Sequence, residues 1–145
     1  GRSHTHALQW QGHACTLIDD SYNANPDSVL AAIDVLADLP APRLLVLGDM
    51  GEVGVNGAAF HAEVGQHAQA QGIERLFTLG ALAQASAAAH AQATHFEDMT
   101  ALQAAVLAQV AQGGSVLVKG SRFMRMERVV KALLDNVSAQ EATCS

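Results

Sequence analysis

Short apolar runs rich in β-branched residues alternate along this chain with longer stretches whose apolar positions recur at helical spacing. The short runs predict strands at Ala14–Ile18, Leu44–Leu47, Arg75–Leu79, Thr94–Phe96 and Val116–Lys119. Between them Val29, Ile33 and Leu36 share one helical face, as do Phe60, Val64 and Ala68, then Leu102, Val106 and Val110, and finally Met126, Val129 and Leu133. The alanine-rich stretch Ala81 to Ala93 is predicted to be helical throughout. Strands alternating with helices in this way require right-handed crossovers, so the expected fold is a doubly wound α/β domain whose mostly parallel sheet is covered on both faces. Leu8–Trp10, separated from His13 by Gln11-Gly12, reads as one arm of a hairpin that adds a short antiparallel edge strand. His4-Thr5-His6 falls in a linker that ends near residue 7, the domain occupies residues 8–137, and the polar, aperiodic residues 138–145 are expected to fray.

In open parallel sheets ligands bind outside the carboxyl ends of the strands, where loops and helix N-termini converge. Three polar clusters fall at such ends: Asp19 to Pro26 after the first parallel strand, Gly48 to Glu52 after the second, and Lys119 to Arg122 after the last. The loops after the other two strands, Gly80-Ala81 and Glu97-Asp98, carry less chemistry. Asn25 is placed to cap the following helix, with Pro26 at its first position and Asp27 favourable to its dipole. That leaves Asp19, Asp20, Tyr22 and Asn23 unexplained. An acid at a strand end can accept from ribose hydroxyls, and it can equally be a solvated loop acid or a second cap. Lys119 beside Gly120 suits a fixed cation next to backbone that approaches a ligand closely, while Ser121 could cap the last helix and Arg122 could be a surface charge. Asp49 and Glu52 could orient an ammonium group or a metal, and acids in a glycine-bearing loop are also ordinary turn material. His61 and His67 lie six residues apart, about 240° around a helix, so they do not face one metal, and no metal site is expected.

Composition narrows the field. A chain of 145 residues, half of them hydrophobic, is enough for one domain burying roughly 68–70% of its unfolded surface. Eight basic against fourteen acidic residues give a net charge of −6, which disfavours nucleic acid and anionic membranes as partners. Cys15 and Cys144 show neither metal-ligand nor disulfide-framework spacing, which suits a reducing, cytoplasmic setting, and no apolar run approaches the ~18 residues of a membrane span. The first residue is Gly1, as expected of a domain taken from a longer chain. Neither G-x-G-x-x-G after the first strand nor G-x-x-x-x-G-K-[ST] anywhere is present, so a bound nucleotide would have its phosphates held by another domain.

The motifs "DDSYNANPDSV", "LGDMGEVG", a histidine at 61, "GIERLFTLG" and "VLVKGSRFMRME", in this order and nearly end to end, resemble the C-terminal domain of the Mur ligases. The resemblance implies a Rossmann-like domain of a three-domain cytoplasmic enzyme whose central ATPase domain carries the phosphate loop. It further implies an ATP- and Mg2+-dependent reaction in which the carboxylate of UDP-N-acetylmuramoyl-tripeptide is phosphorylated and the acyl phosphate is attacked by the amine of D-alanyl-D-alanine. Carried over by position, Asp20 is expected at the ribose, Asn23 near the nucleotide, Lys119, Ser121 and Arg122 around the incoming dipeptide, and Asp49 near its ammonium end. Residues 1–145 alone are then expected to be inactive. Two other classes fit parts of the pattern. A phosphoacceptor receiver domain would use Asp19-Asp20, Asp49 and Lys119, although Asp49 follows the second parallel strand rather than the third. A non-catalytic small-molecule-binding α/β module would need no partner ATPase domain.

Overall fold

The computed structural model describes residues 3–144 apart from Gln11 and Glu52, with residues 138–144 described as backbone only. Its elements run β1 (His4–Trp10), β2 (His13–Asp20), α1 (Pro26–Ala37), β3 (Arg43–Gly48), α2 (Gly57–Ala70), β4 (Arg75–Leu79), α3 (Gln84–Ala88), β5 (Ala93–Phe96), α4 (Met99–Val110), β6 (Gly114–Lys119) and α5 (Glu127–Cys144), with 3-10 turns at Gly54–Asn56 and Arg122–Met124. One six-stranded sheet has the order β1-β2-β6-β3-β4-β5. β1 pairs antiparallel with β2, and every other pairing is parallel.

Strand side chains alternate between two apolar layers, as the two-residue period of a strand demands. Leu17, Leu44, Val46, Val116 and Val118 pack with Leu102, Val106, Val129 and Leu133 from α4 and α5. Ile18, Leu45, Leu47 and Leu117 pack on the opposite face with Val29, Ile33 and Leu36 of α1 and Val64 and Ala68 of α2. The doubly wound, mostly parallel sheet read from the sequence is therefore the fold observed.

Three local expectations are corrected. β1 starts at His4 rather than Leu8, because its register with β2 continues from Trp10 opposite His13 to His4 opposite Asp19. His4, Thr5 and His6 thus belong to a strand and not to a linker. Between Ala81 and Ala93 only Gln84–Ala88 is α-helical. The amides of Leu82 and Ala83 are held by Asp49 before that helix, and after it the His90 ring bonds the Ile73 carbonyl at 2.8 Å, so tertiary contacts override alanine's helix propensity. At the far end, α5 continues through residues 138–144, where Ala, Gln and Glu favour helix without needing an apolar face.

The chain order creates a switch point. After β2 and β3 the chain turns into α1 and α2 on one face, whereas after β6, seated between them, it turns into α5 on the other. Adjacent loops that leave in opposite directions open a crevice at the strands' carboxyl ends.

Candidate functional site

The crevice is a cleft of about 620 Å³ whose lining includes Asn23, Ala24 and Pro26 from the β2–α1 loop, Gly51 and Val53 after β3, and Ser121, Arg122 and Phe123 after β6. All three polar clusters of the sequence meet there. The β2–α1 side is shaped by a capping box: Asn25 accepts from the Ser28 amide at 2.9 Å while Ser28 Oγ returns a contact to the Asn25 backbone, and Pro26 occupies the first turn. Asp19 accepts from the Ser21 amide at 3.1 Å, which bends the chain out of β2 and leaves Tyr22 48% exposed at the mouth.

Asp20 and Lys119 lie at the base. Parallel register makes them direct partners across β2 and β6, on the α1 side of the sheet with Ile18 and Leu117. Lys119 Nζ donates to Asp20 Oδ2 at 2.8 Å and to the Asn23 carbonyl at 2.9 Å, and its side chain is 3% exposed against 25% for Asp20. Lys119, expected around the incoming dipeptide, thus has its ammonium engaged within the protein. Gly120, expected to admit a ligand, instead admits Met126: a Cβ there would come within 2.6 Å of Met126 Cγ.

Asp49, expected near the ammonium end of the dipeptide, is likewise engaged within the protein. Its carboxylate is buried and accepts from the Ala83 amide at 2.7 Å and the Leu82 amide at 3.3 Å, tying the β3 loop to the turn before α3. Gly80, at φ 114°, is required beside it, since a Cβ there would overlap the carboxylate. The Asp49 backbone carbonyl accepts from both the amide and the hydroxyl of Ser121, at 3.0 and 2.7 Å. A buried carboxylate so engaged is ill placed to accept a phosphoryl group, which counts against the receiver-domain reading. Glu52 lies outside the described residues.

His61, which the sequence offered as part of the resemblance and as no metal ligand, is a support whose role sequence reasoning missed. It is fully buried, accepts from the Met50 amide at 3.0 Å through Nε2, and donates from Nδ1 to the Gly57 carbonyl at 2.7 Å. The β3 loop is thus held by α2 through His61, by the turn before α3 through Asp49, and by the β6 loop through Ser121. A histidine at the fifth position of a helix that closely follows a polar loop was the available signal. Arg122 is the site's exposed cation, its guanidinium 5.1 Å from the centroid of the Tyr22 ring, and Phe123 beside it is 65% exposed.

A doubly wound sheet with three loops converging on a cleft at its switch point defines an α/β domain of the ligand-binding kind. The profile of the Mur ligase, glutamate ligase domain family matches residues 1–122, and the chain belongs to that family. It is 45% identical over 122 residues to the UDP-N-acetylmuramoyl-tripeptide--D-alanyl-D-alanine ligase of Escherichia coli strain K12, a match covering 83% of this chain and 27% of that relative. Among solved structures, MurF from Acinetobacter baumannii superposes with a TM-score of 0.79 at 28% identity, over 90% of this chain and 29% of that one. The MurF ligase of Thermotoga maritima in complex with ADP, at 22% identity and a TM-score of 0.77 over 92% of this chain and 31% of that one, shares the fold. The chain therefore spans a little over a quarter of the length of these relatives.

Proposed function

We propose that this chain forms one half of the active site of an ATP-dependent ligase that joins D-alanyl-D-alanine to UDP-N-acetylmuramoyl-tripeptide. The observation that carries the reading is the cleft itself: residues from "DDSYNANP", "LGDMGEVG" and "KGSRF" border one cavity, in a chain 45% identical to a ligase named for that reaction. In this reading a neighbouring domain binds the ATP phosphates and the tripeptide, and the γ-phosphoryl group passes to the tripeptide carboxylate. The dipeptide amine then attacks the acyl phosphate and phosphate leaves. Water would destroy the acyl phosphate, so closure of this cleft over it serves to exclude solvent.

The residues divide the work by what remains free on each. Asp20, partly exposed, offers its carboxylate to ribose hydroxyls, and Asn23 stands at the cleft wall nearby. Arg122 supplies exposed donors for the dipeptide carboxylate or the oxyanion of the tetrahedral intermediate. Ser121 has committed its proton to the Asp49 carbonyl, so it presents acceptor lone pairs to the attacking amine. Among the described residues no three His, Cys, Asp or Glu side chains converge, so Mg2+ would be held by the ATP phosphates and the neighbouring domain. No helix among the described residues is long and apolar enough to cross a membrane. In this reading the nucleotide-linked substrates would be met in the cytoplasm.

In a ligase that carries this chain as its C-terminal domain, ADP release should require both UDP-N-acetylmuramoyl-tripeptide and D-alanyl-D-alanine. Losing the Arg122 donors in R122A should raise the dipeptide KM roughly ten- to a hundredfold, the equivalent of about 1.5–3 kcal/mol for a hydrogen bond to a charged group. Turnover that ignores the dipeptide would sink the proposal.

A further inference from the structure

Lys119 is the most deeply buried charge at the cleft, and its surroundings state what it is for. The β2–β6 register sets Asp20 directly beside it on the same face of the sheet. Two of its three ammonium hydrogens are directed to Asp20 Oδ2 and to the Asn23 carbonyl, across sequence separations of 99 and 96 residues. With a side chain 3% exposed, it offers nothing to a carboxylate entering the cleft unless the bridge to Asp20 breaks first, and breaking such a buried pair is costly. Asp20, by contrast, keeps Oδ1 free of protein donors among the described residues and stays partly exposed. One bond fixes which way that carboxylate faces, and the other fixes the backbone of the loop that lines the cleft.

We propose that Lys119 is a positioning residue for the nucleotide side of the cleft: it orients Asp20 and the Asn23 segment and makes no contact with the dipeptide. This rests on the ligase reading above for the identity of the substrates, while the burial and pairing of Lys119 stand apart from it. The two separate into two measurements.

The sequence holds two lysines, Lys119 and Lys131, and the Lys131 side chain is 77% exposed. Limiting acetic anhydride applied to the 145-residue chain without substrates should acetylate Lys131 and leave Lys119 at least about tenfold less modified, with D-alanyl-D-alanine changing nothing. Labelling of Lys119 at a rate close to that of Lys131, or its protection only when dipeptide is present, overturns the inference. In the ligase carrying this domain, K119M should raise the KM for ATP about tenfold and leave the dipeptide KM within about twofold. D20N should give the same split, and D20N K119M should be no worse than the worse single variant, as expected of two groups acting as one unit. A rise in the dipeptide KM with the ATP KM unchanged, or penalties that multiply in the double variant, overturns it as well. If the wild-type ligase shows no dipeptide-dependent turnover, or K119M does not fold, the labelling experiment still decides whether Lys119 is committed to Asp20.

Discussion

Beneath the cleft and at its mouth, polar and apolar residues have exchanged their customary places. Below, Asp49, His61, Lys119 and Ser121 are buried, and each is bonded to another part of the chain. Above, Tyr22 and Phe123 are exposed, and Arg122 precedes Phe123 in sequence and stands beside the Tyr22 ring. A buried charge persists only when its partners replace the water it has lost, so the lower tier serves to hold loops in place. Aromatic side chains left this exposed bury little in the fold and are available to whatever docks there. Residues that a sequence marks alike as polar and loop-borne therefore divide into supports and contacts, and burial is what divides them.

Breaking the lower tier should cost the most. H61A removes the acceptor of the Met50 amide and empties a fully buried site, and is expected to lower unfolding free energy by about 2–4 kcal/mol in urea titration. A loss under about 1 kcal/mol would erase the distinction between the tiers. D49A strands the Leu82 and Ala83 amides and should cost about 1–3 kcal/mol, with D49N, which keeps one acceptor oxygen, recovering part of it. A smaller, pH-dependent effect tests whether tight burial extends to the sheet's antiparallel edge. Burial pushes the Cys15 thiol up to about 11 from an ordinary value of 9.0. The folded chain therefore keeps that proton after the unfolded chain has released it, so the thiol's contribution is full below pH 9 and is lost as pH rises toward 11. Wild type should lose stability relative to C15A across that window, and parallel curves would place the thiol in contact with water. The upper tier should respond least: F123A is expected to change stability by no more than about 0.5 kcal/mol, because the ring packs on little. A larger loss would move Phe123 into the supports.

How much of this was legible follows from how local each signal is. The parallel strands and the two-faced core could be read because β3 and β6 carry continuous apolar runs, the pattern of strands covered on both sides. The Asn25 cap was legible for the same reason, since a capping box is complete within four residues. β1 was cut short because His4, Thr5 and His6 pair at an edge where no apolar alternation is required. The helix predicted at Ala81–Ala93 shrank because residues far along the chain, Asp49 and Ile73, bind its flanks. At the site, the sequence located the three loops that border the cleft, but it could not tell that Lys119 faces inward. That depends on strand register between segments nearly a hundred positions apart. His61 escaped for a related reason, as its partner is the backbone amide of Met50, and an amide leaves no mark in the identity of a residue.

The placement of β6 between β2 and β3 has a consequence for how the molecule comes into being. During synthesis the middle of the sheet is the last strand to emerge, so β2 and β3 must wait side by side with a gap between them, and α1 and α2 can gather on one face long before the opposite face closes. Contacts of such long range slow folding, because chain entropy is surrendered before they repay it. The pocket is thus a late product of assembly: until residues 114–119 slot home, neither Asp20 nor the Asn23 loop has anything to lean on.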